Sequence, residues 1–355
     1  MKKAIFKLLL LSTLLIISVA CKKEQNATKE KQNLNSEIAT EKHFAIVIHG
    51  GAGTIKKANM TPEQEAAYKE KLQEAINTGY SILEKGGTAI DAVQKTLNLL
   101  EDSPLFNAGK GAVFNSLGKN EMDASIMDGN TLNSGAVAGV KHIKNPINAA
   151  RLVMDSTRHV LLSGKGAEDF AKQFNVIFVE NSYFHTTKRF QQLQKARKKN
   201  KVQLKHTSMN TELLIDDHKY GTVGAVALDK NGNIAAATST GGLTNKKYGR
   251  IGDSPIVGAG TYANNKTCGI SCTGTGEYFI RTLAAHEASN LMQYQNMSIQ
   301  ESLENVIKQI GDLGGDGGMI GLDKNGNIAW HFNTEGMYRA YKKSDGESVL
   351  KFYEE

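Results

Sequence analysis

Cysteine is nearly absent: Cys21, Cys268 and Cys272 are the only three in 355 residues. Cys268 and Cys272 stand four apart in a strand-like stretch, which at about 3.3 Å per residue separates their Cα atoms by about 13 Å. A bridge needs less than about 7 Å, so no disulfide framework is expected and both read as buried thiols. Nucleotide and metal signatures are missing too. There is no G-x-x-x-x-G-K-[ST] loop, and Gly274-Thr275-Gly276 lacks the third glycine of a dinucleotide fingerprint. After His286-Glu287, Asn290 stands where a zinc-protease helix needs its second histidine, and the nine histidines show no ligand spacing. The charge-free apolar run from Leu8 to Ala20 is too short for a membrane span, which takes about 20 residues.

That run has a different use. Lys2, Lys3 and Lys7 precede it and Ser18-Val19-Ala20-Cys21 follows, so residues 1–20 read as a signal peptide. A cysteine after small residues resembles a bacterial lipobox, although Ser18 replaces the usual branched aliphatic. Cys21 is therefore the expected lipidation site, the only membrane contact, on an exported lipoprotein of a bacterial cell envelope, periplasmic or on the outer surface. Residues 21–42 are polar and lack aromatics, the composition of a flexible tether. Removing the leader lowers the formal charge from +7 to +4, because three lysines leave with it. Much of the remaining excess lies between Lys188 and Lys205, eight Lys/Arg with no acid and one aromatic, Phe190. That run reads as a solvated linker within residues 185–221 rather than a nucleic-acid patch.

Residues 43–355 form the expected single catalytic domain, and with 40% hydrophobic residues the chain can build a sizeable core. Phe44–Ile48 reads as a buried strand running into His49-Gly50-Gly51-Ala52-Gly53. Thr61, Pro62 and Gln64 open a helix with a capping box, and Thr88 caps a second one. Short strands follow at Ala112–Phe114, Asp123–Met127 and Gly135–Val140, then a helix from Pro146 through Met154. The stretch from Tyr183 to Tyr220 has little pattern. Thr222–Asp229 and Ile234–Thr240 flank Asn231-Gly232, the preferred two-residue hairpin turn. That register sets Thr222 opposite Gly241 and leaves Thr240 diagonal to Thr222. The octapeptide LDKNGNIA recurs at 228–235 and 322–329 as repeated turn chemistry. Helices are expected from Gly276 through Met292 and from Glu301 to Ile310. Blocks of helices around hairpins, without βαβ alternation, favour an α+β fold of two sheet layers covered by helices.

The Gly221-Thr222 step carries the chemistry. A threonine hydroxyl is a poor nucleophile, but cleavage before Thr222 frees an α-amine with a pKa of about 7.7–8.0 to take its proton. Gly221, without Cβ, tolerates the strained approach of Thr222 Oγ to the preceding carbonyl. Thr240 is placed to donate to that hydroxyl or amine. Arg250 and Asp253, between glycines, suit an α-carboxylate and an α-ammonium, or a loop salt bridge. Cys272-Thr273-Gly274-Thr275-Gly276-Glu277 is a strand-to-helix turn whose N–H groups suit an oxyanion. His49 reads as a satisfied strand-end histidine rather than a general base.

These residues resemble the plant-type L-asparaginases, also called isoaspartyl peptidases, of the N-terminal-nucleophile hydrolase superfamily. The resemblance covers about residues 44–342. It is carried by His49–Gly53, Pro104–Gly111, Met122–Gly129, Gly221–Asp229, Ala237–Gly242, Gly249–Pro255, Ser271–Gly276 and Asn333–Gly336. It implies an αββα sandwich of two mainly antiparallel sheets, and autoproteolysis into an α subunit (43–221) and a β subunit (222–355). It implies Thr222 as nucleophile, Thr240 in support, Thr273 and Gly274 as oxyanion hole, and Asn107 nearby. Arg250 and Asp253 would hold the substrate, a β-aspartyl dipeptide or L-asparagine, with Gly276 lining the pocket. No catalytic cofactor is implied. A structural sodium ion would sit on main-chain carbonyls of Leu100, Glu101, Ser103, Phe106, Ala108 and Lys110, and processed chains would pair as (αβ)2. Two alternatives are a glycosylasparaginase acting on N-linked glycoasparagine and a non-catalytic amino-acid-binding lipoprotein. The Thr-Val-Gly-Ala start favours the isoaspartyl type, and a binding protein needs no nucleophile.

Overall fold

Strand β1 (Ala45–Gly53) is buried along its whole length, because both of its faces are covered. The computed structural model describes residues 43–206 and 221–354. Cys21, the leader, the 21–42 segment and residues 207–220 lie outside the described residues. Twelve described strands form two sheets. The larger has the order β12 (Ser348–Tyr353), β11 (Gly336–Lys343), β1, β5 (Val223–Leu228), β6 (Ile234–Thr240), β2 (Met122–Asp128), β3 (Ser134–Val140) and β4 (Leu161–Ser163). The smaller has the order β10 (Ile328–Phe332), β9 (Gly317–Asp323), β8 (Cys268–Gly274) and β7 (Thr261–Ala263).

Period-two alternation sorts the layers. Val223, Ala225 and Ala227 of β5 face the core beneath the helices α1 (Pro62–Glu84) and α2 (Ala89–Glu101). Val226 and Leu228 face the second sheet, where Ile320 and Leu322 meet them. Cys268, Ile270 and Cys272 turn to the far side, against residues that include Leu303, Val306 and Ile310. Both thiols are buried and free. The start of α1 is the capping box read from the sequence: Gln64 N–H donates to Thr61 Oγ1, and Thr61 N–H donates to Gln64 Oε1.

The central hairpin differs from expectation. Val223 pairs with Ser239 and Leu228 with Ile234, one residue away from the register of a two-residue turn. Asp229 closes the loop instead: its Oδ1 accepts the N–H groups of Asn231 (2.8 Å) and Asn233 (3.0 Å). Only Gly232 takes positive φ, at 81°, which is the three-residue loop with a glycine in the left-handed position. Asp323 does the same at the second copy of the octapeptide.

Four smaller expectations also change. The pair β3–β4 is parallel, joined through α3 (Pro146–Ser156), so one βαβ unit exists at the sheet edge. The expected Ala112–Phe114 strand is only an isolated bridge between Phe114 and Asn120. The expected helix from Gly276 is two, Gly276–Thr282 and Ala284–Gln295, broken at Leu283 with φ 48°. The break follows because the carbonyls of Ala259 and Gly258 capture the N–H groups of Ala285 and His286. Finally, the basic run lies on a helix, Thr187–His206, built from Lys, Arg, Gln and Leu of high helix propensity. Arg189 in it is buried and donates from Nε to the Gly111 carbonyl at 2.7 Å.

Asp229 also accepts the Ala89 N–H at the start of α2 through Oδ2, at 3.1 Å, and is 1% exposed. Asp229→Ala leaves the buried Ala89 N–H unpaired and opens the loop, and should cost about 1–3 kcal/mol. Urea unfolding should show a larger loss than for Asp323→Ala, which releases no helix start.

Candidate active site

The observed register sets Thr222, just before β5, level with Thr240 at the end of β6, on the face turned to the second sheet. Thr222 Oγ1 donates to Thr240 Oγ1 at 3.1 Å, and Thr240 Oγ1 accepts the Gly242 N–H at 3.0 Å. Both threonines are buried, and both line a cleft shared with Asn107, Arg250, Asp253 and Gly274. Asn107 fixes the turn after β6: its Nδ2 donates to the Gly242 carbonyl (2.8 Å) and its Oδ1 accepts the Val113 N–H (2.9 Å).

The approach to Gly221 is very close. Strand β1 bulges between His49 and Gly51, and a Cβ on Gly51 would lie 2.6 Å from Gly221 Cα. A Cβ on Gly221 would lie 2.4 Å from Thr273 Oγ1, so glycine at both positions lets β1, residue 221 and the Thr273 hydroxyl meet there. Thr273 Oγ1 itself accepts the Ala52 N–H at 3.3 Å. Gly274 takes φ 155°, and a Cβ there would lie 2.4 Å from the Asp316 carbonyl. Its N–H group is thus held on a backbone geometry that other residues rarely adopt.

Charge is concentrated on one wall. The fork expected to meet a carboxylate is engaged by Glu277, a residue that sequence reasoning did not single out for a role. Arg250 donates from Nε to Glu277 Oε1 (2.9 Å) and from Nη2 to Oε2 (2.8 Å). Nη1 turns to the glycine wall, 2.8 Å from where a Cβ on Gly252 would sit and 3.5 Å from one on Gly242. Asp253 is 4% exposed and its Oδ2 has no hydrogen-bond partner. Burial pushes its pKa up to about 7, against the pull of Arg250. A Cβ on Gly276 would lie 2.6 Å from Asp253 Oδ1 and 3.0 Å from Arg250 Nη2, so Gly276 makes room for both.

Two more buried charges were not legible as site residues. Asp123 on β2 pairs across the sheet with Thr240, and Lys246 Nζ donates to the Glu121 carbonyl at 2.8 Å. Burial raises the Asp123 pKa and lowers that of Lys246, each opposed by the other's charge. His49 is also buried. Its Nε2 lies 2.9 Å from Ser271 Oγ, and burial drives its pKa down to about 3, so the ring is neutral. The carbonyl loop from Leu100 to Lys110 stands apart from the cleft except through Asn107. Among the described residues no cluster of three or more His, Cys, Asp or Glu side chains suits a metal.

The sequence as a whole matches a known class of hydrolases. The family model described as asparaginase matches residues 42–351, and the chain belongs to that family. It is 50% identical over 311 residues to the isoaspartyl peptidase of Escherichia coli (strain K12), covering 87% of this chain and 96% of that protein. It is 44% identical over 306 residues to the plant-type L-asparaginase of Pyrococcus furiosus, covering 84% and 96%. It is 40% identical over 327 residues to the probable isoaspartyl peptidase/L-asparaginase 2 of Arabidopsis thaliana, covering 88% and 99%.

The electrostatics can be checked directly. Carboxyl-carbon NMR of the substrate-free protein should give Asp253 an apparent pKa near 7. Arg250→Met removes the attracting charge and should move that pKa further up; a downward move contradicts the arrangement described.

Proposed function

We propose that the chain is a threonine hydrolase that cleaves itself before Thr222 and then hydrolyses β-aspartyl (isoaspartyl) dipeptides and the side-chain amide of L-asparagine, releasing L-aspartate. One observation carries this reading: the 3.1 Å contact of the Thr222 and Thr240 hydroxyls in a cleft that also holds Arg250 and Asp253. The 50% identity to an isoaspartyl peptidase supports it. The layering of helices on two face-to-face sheets supports the αββα sandwich of the N-terminal-nucleophile hydrolases.

Maturation begins with attack of Thr222 Oγ1 on the Gly221 carbonyl. The Gly221–Thr222 amide becomes an ester, and water hydrolyses it to leave a carboxylate on Gly221 and a free amine on Thr222. That amine is then the base for the hydroxyl beside it, with Thr240 oriented to steady the oxygen. A substrate enters with its α-ammonium on Asp253 and its α-carboxylate on Nη1 of Arg250, the nitrogen not engaged by Glu277. Its β-carbonyl then faces Thr222 Oγ1. Attack forms a tetrahedral oxyanion received by Thr273 Oγ1 and the Gly274 N–H; one such donor is worth about 10²–10³ in rate. The leaving amine departs protonated, a β-aspartyl ester remains on Thr222, and water releases aspartate.

Sodium has a place in this reading. Among the described residues no hydrogen bond reaches the carbonyls of Glu101, Ser103 or Phe106. Gly109, at φ 48°, folds the loop so that a Cβ there would lie 2.3 Å from the Glu101 carbonyl. With Leu100, Ala108 and Lys110 these oxygens would hold the ion, which would stiffen the loop carrying Asn107. Pairing of processed chains as (αβ)2 is part of the same reading, and light scattering should give a mass of two processed chains.

Purified protein should separate into two fragments, the smaller beginning at Thr222, and Thr222→Ala should stay uncut. The mature enzyme should cleave β-linked Asp-Leu and asparagine but not α-linked Asp-Leu, whose α-carboxyl is consumed in the peptide bond. It should turn over glycoasparagine poorly. Because Asp253 must be ionised to hold the ammonium, kcat/KM should fall as pH drops below about 7. Any other fragment start, or equal rates on the two dipeptides, overturns the mechanism.

The leader supports export and a lipid on Cys21; among the described residues no helix is long and apolar enough to cross a membrane. Cys21→Ser should move the protein from the membrane fraction to the soluble one. Unchanged fractionation would contradict the anchor.

A further inference from the structure

Two buried charges, Asp123 and Lys246, take no part in the mechanism above, and both lie behind the wall that holds Arg250. Asp123 pairs directly across the sheet with Thr240, so the two side chains share one face of it. Strand β2 bulges there against β3, between Met122 and Ala124, and a bulge re-aims the side chain it carries. The Gly139 N–H donates to Asp123 Oδ1 at 2.7 Å. The other oxygen, Oδ2, is buried without a hydrogen-bond partner. A carboxylate so placed is costly unless positive charge stands near it.

Lys246 supplies that charge. The chain after β6 turns so that the Lys246 N–H donates to the Leu243 carbonyl at 3.2 Å, and the Ser116 N–H donates to the Lys246 carbonyl at 2.9 Å. The lysine is 6% exposed, and its side chain packs against Gly242. A Cβ on Gly242 would lie 3.0 Å from Lys246 Nζ, 3.3 Å from its Cδ and 3.5 Å from Arg250 Nη1. Two cationic groups therefore converge on one glycine, and that glycine lines the cleft. Gly242 is fixed from both ends, its N–H by Thr240 Oγ1 and its carbonyl by Asn107 Nδ2. The Glu121 carbonyl takes one of the three ammonium protons, at 2.8 Å. The Glu121 carboxylate is engaged by Lys141 at 3.1 Å, so Asp123 is the acid that Lys246 chiefly answers.

We infer that Lys246 is a positioning residue for the substrate's α-carboxylate: its ammonium, behind Gly242, offsets Asp123 and leaves the charge of Arg250 to the incoming carboxylate. The role rests on reading the cleft as a site for an aspartyl zwitterion. Arg250 already gives two nitrogens to Glu277. With Asp123 uncompensated beside it, one guanidinium would face two carboxylates, and a third would be repelled. Lys246 restores the balance, while Asp253 is answered by the substrate's own ammonium. The substrate carboxylate then arrives where both cations converge, and it relieves the repulsion between Lys246 and Arg250. This attraction is the same in the bound substrate and in the transition state, so its loss should raise KM and spare kcat.

Lys246→Gln keeps an N–H donor on the side chain and removes the charge. The mature fraction of each variant is counted by N-terminal sequencing, and rates on a β-aspartyl dipeptide are normalised to it. KM should rise about tenfold, the scale of one opposite charge at short range, with kcat within about threefold. Adding Asp123→Asn should recover most of that rise, because the charge to be offset is gone; were the lysine only structural, a second buried substitution would add damage. A parent-like KM in Lys246→Gln, a loss confined to kcat, or no recovery in the double variant overturns the role. The wild type supplies a measurement that needs no variant. Asp123, Glu121, Arg250 and Lys141 set the field on the Lys246 ammonium in the free protein. Followed by 15N NMR of lysine, its pKa should move up when L-aspartate saturates the cleft, and an unmoved pKa overturns the assignment. A wild type that matures and turns over leaves the hydrolase reading standing whichever way these results fall; a wild type that does neither removes both.

Discussion

The register between β5 and β6 is the constraint on which the rest of the site depends. Side chains on paired strands alternate faces with a period of two, so a slip of one residue would turn Thr222 and Thr240 away from each other. What prevents the slip lies at the other end of the hairpin, at Asp229, whose carboxylate closes the loop and holds the start of α2. Register is inherited outward: β2 sets Asp123 beside Thr240, and β1 sets His49 beside Gly224. A turn residue on the far side of the sheet therefore decides which hydroxyls meet in the cleft.

The second constraint is electrostatic. Asp123, Lys246, Arg250 and Asp253 are all removed from most water, and each pays in desolvation unless opposite charge is near. Arg250 is balanced by Glu277 at hydrogen-bond distance and by the fields of Asp253 and Asp123. Asp253 is left half-compensated, with one oxygen unpaired and its pKa near neutrality. A carboxylate in that condition gains most from an incoming ammonium. The wall is thus complementary to a zwitterion whose two charges lie one carbon apart, and a neutral ligand would leave Asp253 as costly as before.

Much of the site was legible in the sequence, and the reason is local. Gly221-Thr222, Arg250 with Asp253, and Thr273-Gly274 each carry their expected chemistry within a few residues, and the cleft brings Thr222, Thr240, Asn107, Arg250, Asp253 and Gly274 together. The turn was misread because Asn231-Gly232 is a strong signal taken alone, while the deciding group, the Asp229 side chain, reaches back from outside it. The Arg250–Glu277 pair was hidden because 27 residues separate the partners. The helix over 187–206 was hidden by its charge: a run of lysines and arginines looks solvated until one of them, Arg189, is found buried on a backbone carbonyl. The break at Leu283 and the parallel pairing of β3 with β4 depend on tertiary contacts with no sequence signature.

The glycines explain why such a site can be built inside a sheet. Residues 51, 221, 224 and 276 each stand where a methyl group would overlap an atom in the cleft or packed behind it. Each weakens its element in isolation, since glycine loses the most entropy on folding. They are tolerated because packing fixes them from both sides: β1 and β5 lie in the middle of the larger sheet, with helices on one face and the second sheet on the other. The burial that stabilises the fold is what lets the β1 backbone and the Thr273 side chain both converge on residue 221. A chain on an exposed edge strand could not be approached so closely from two sides.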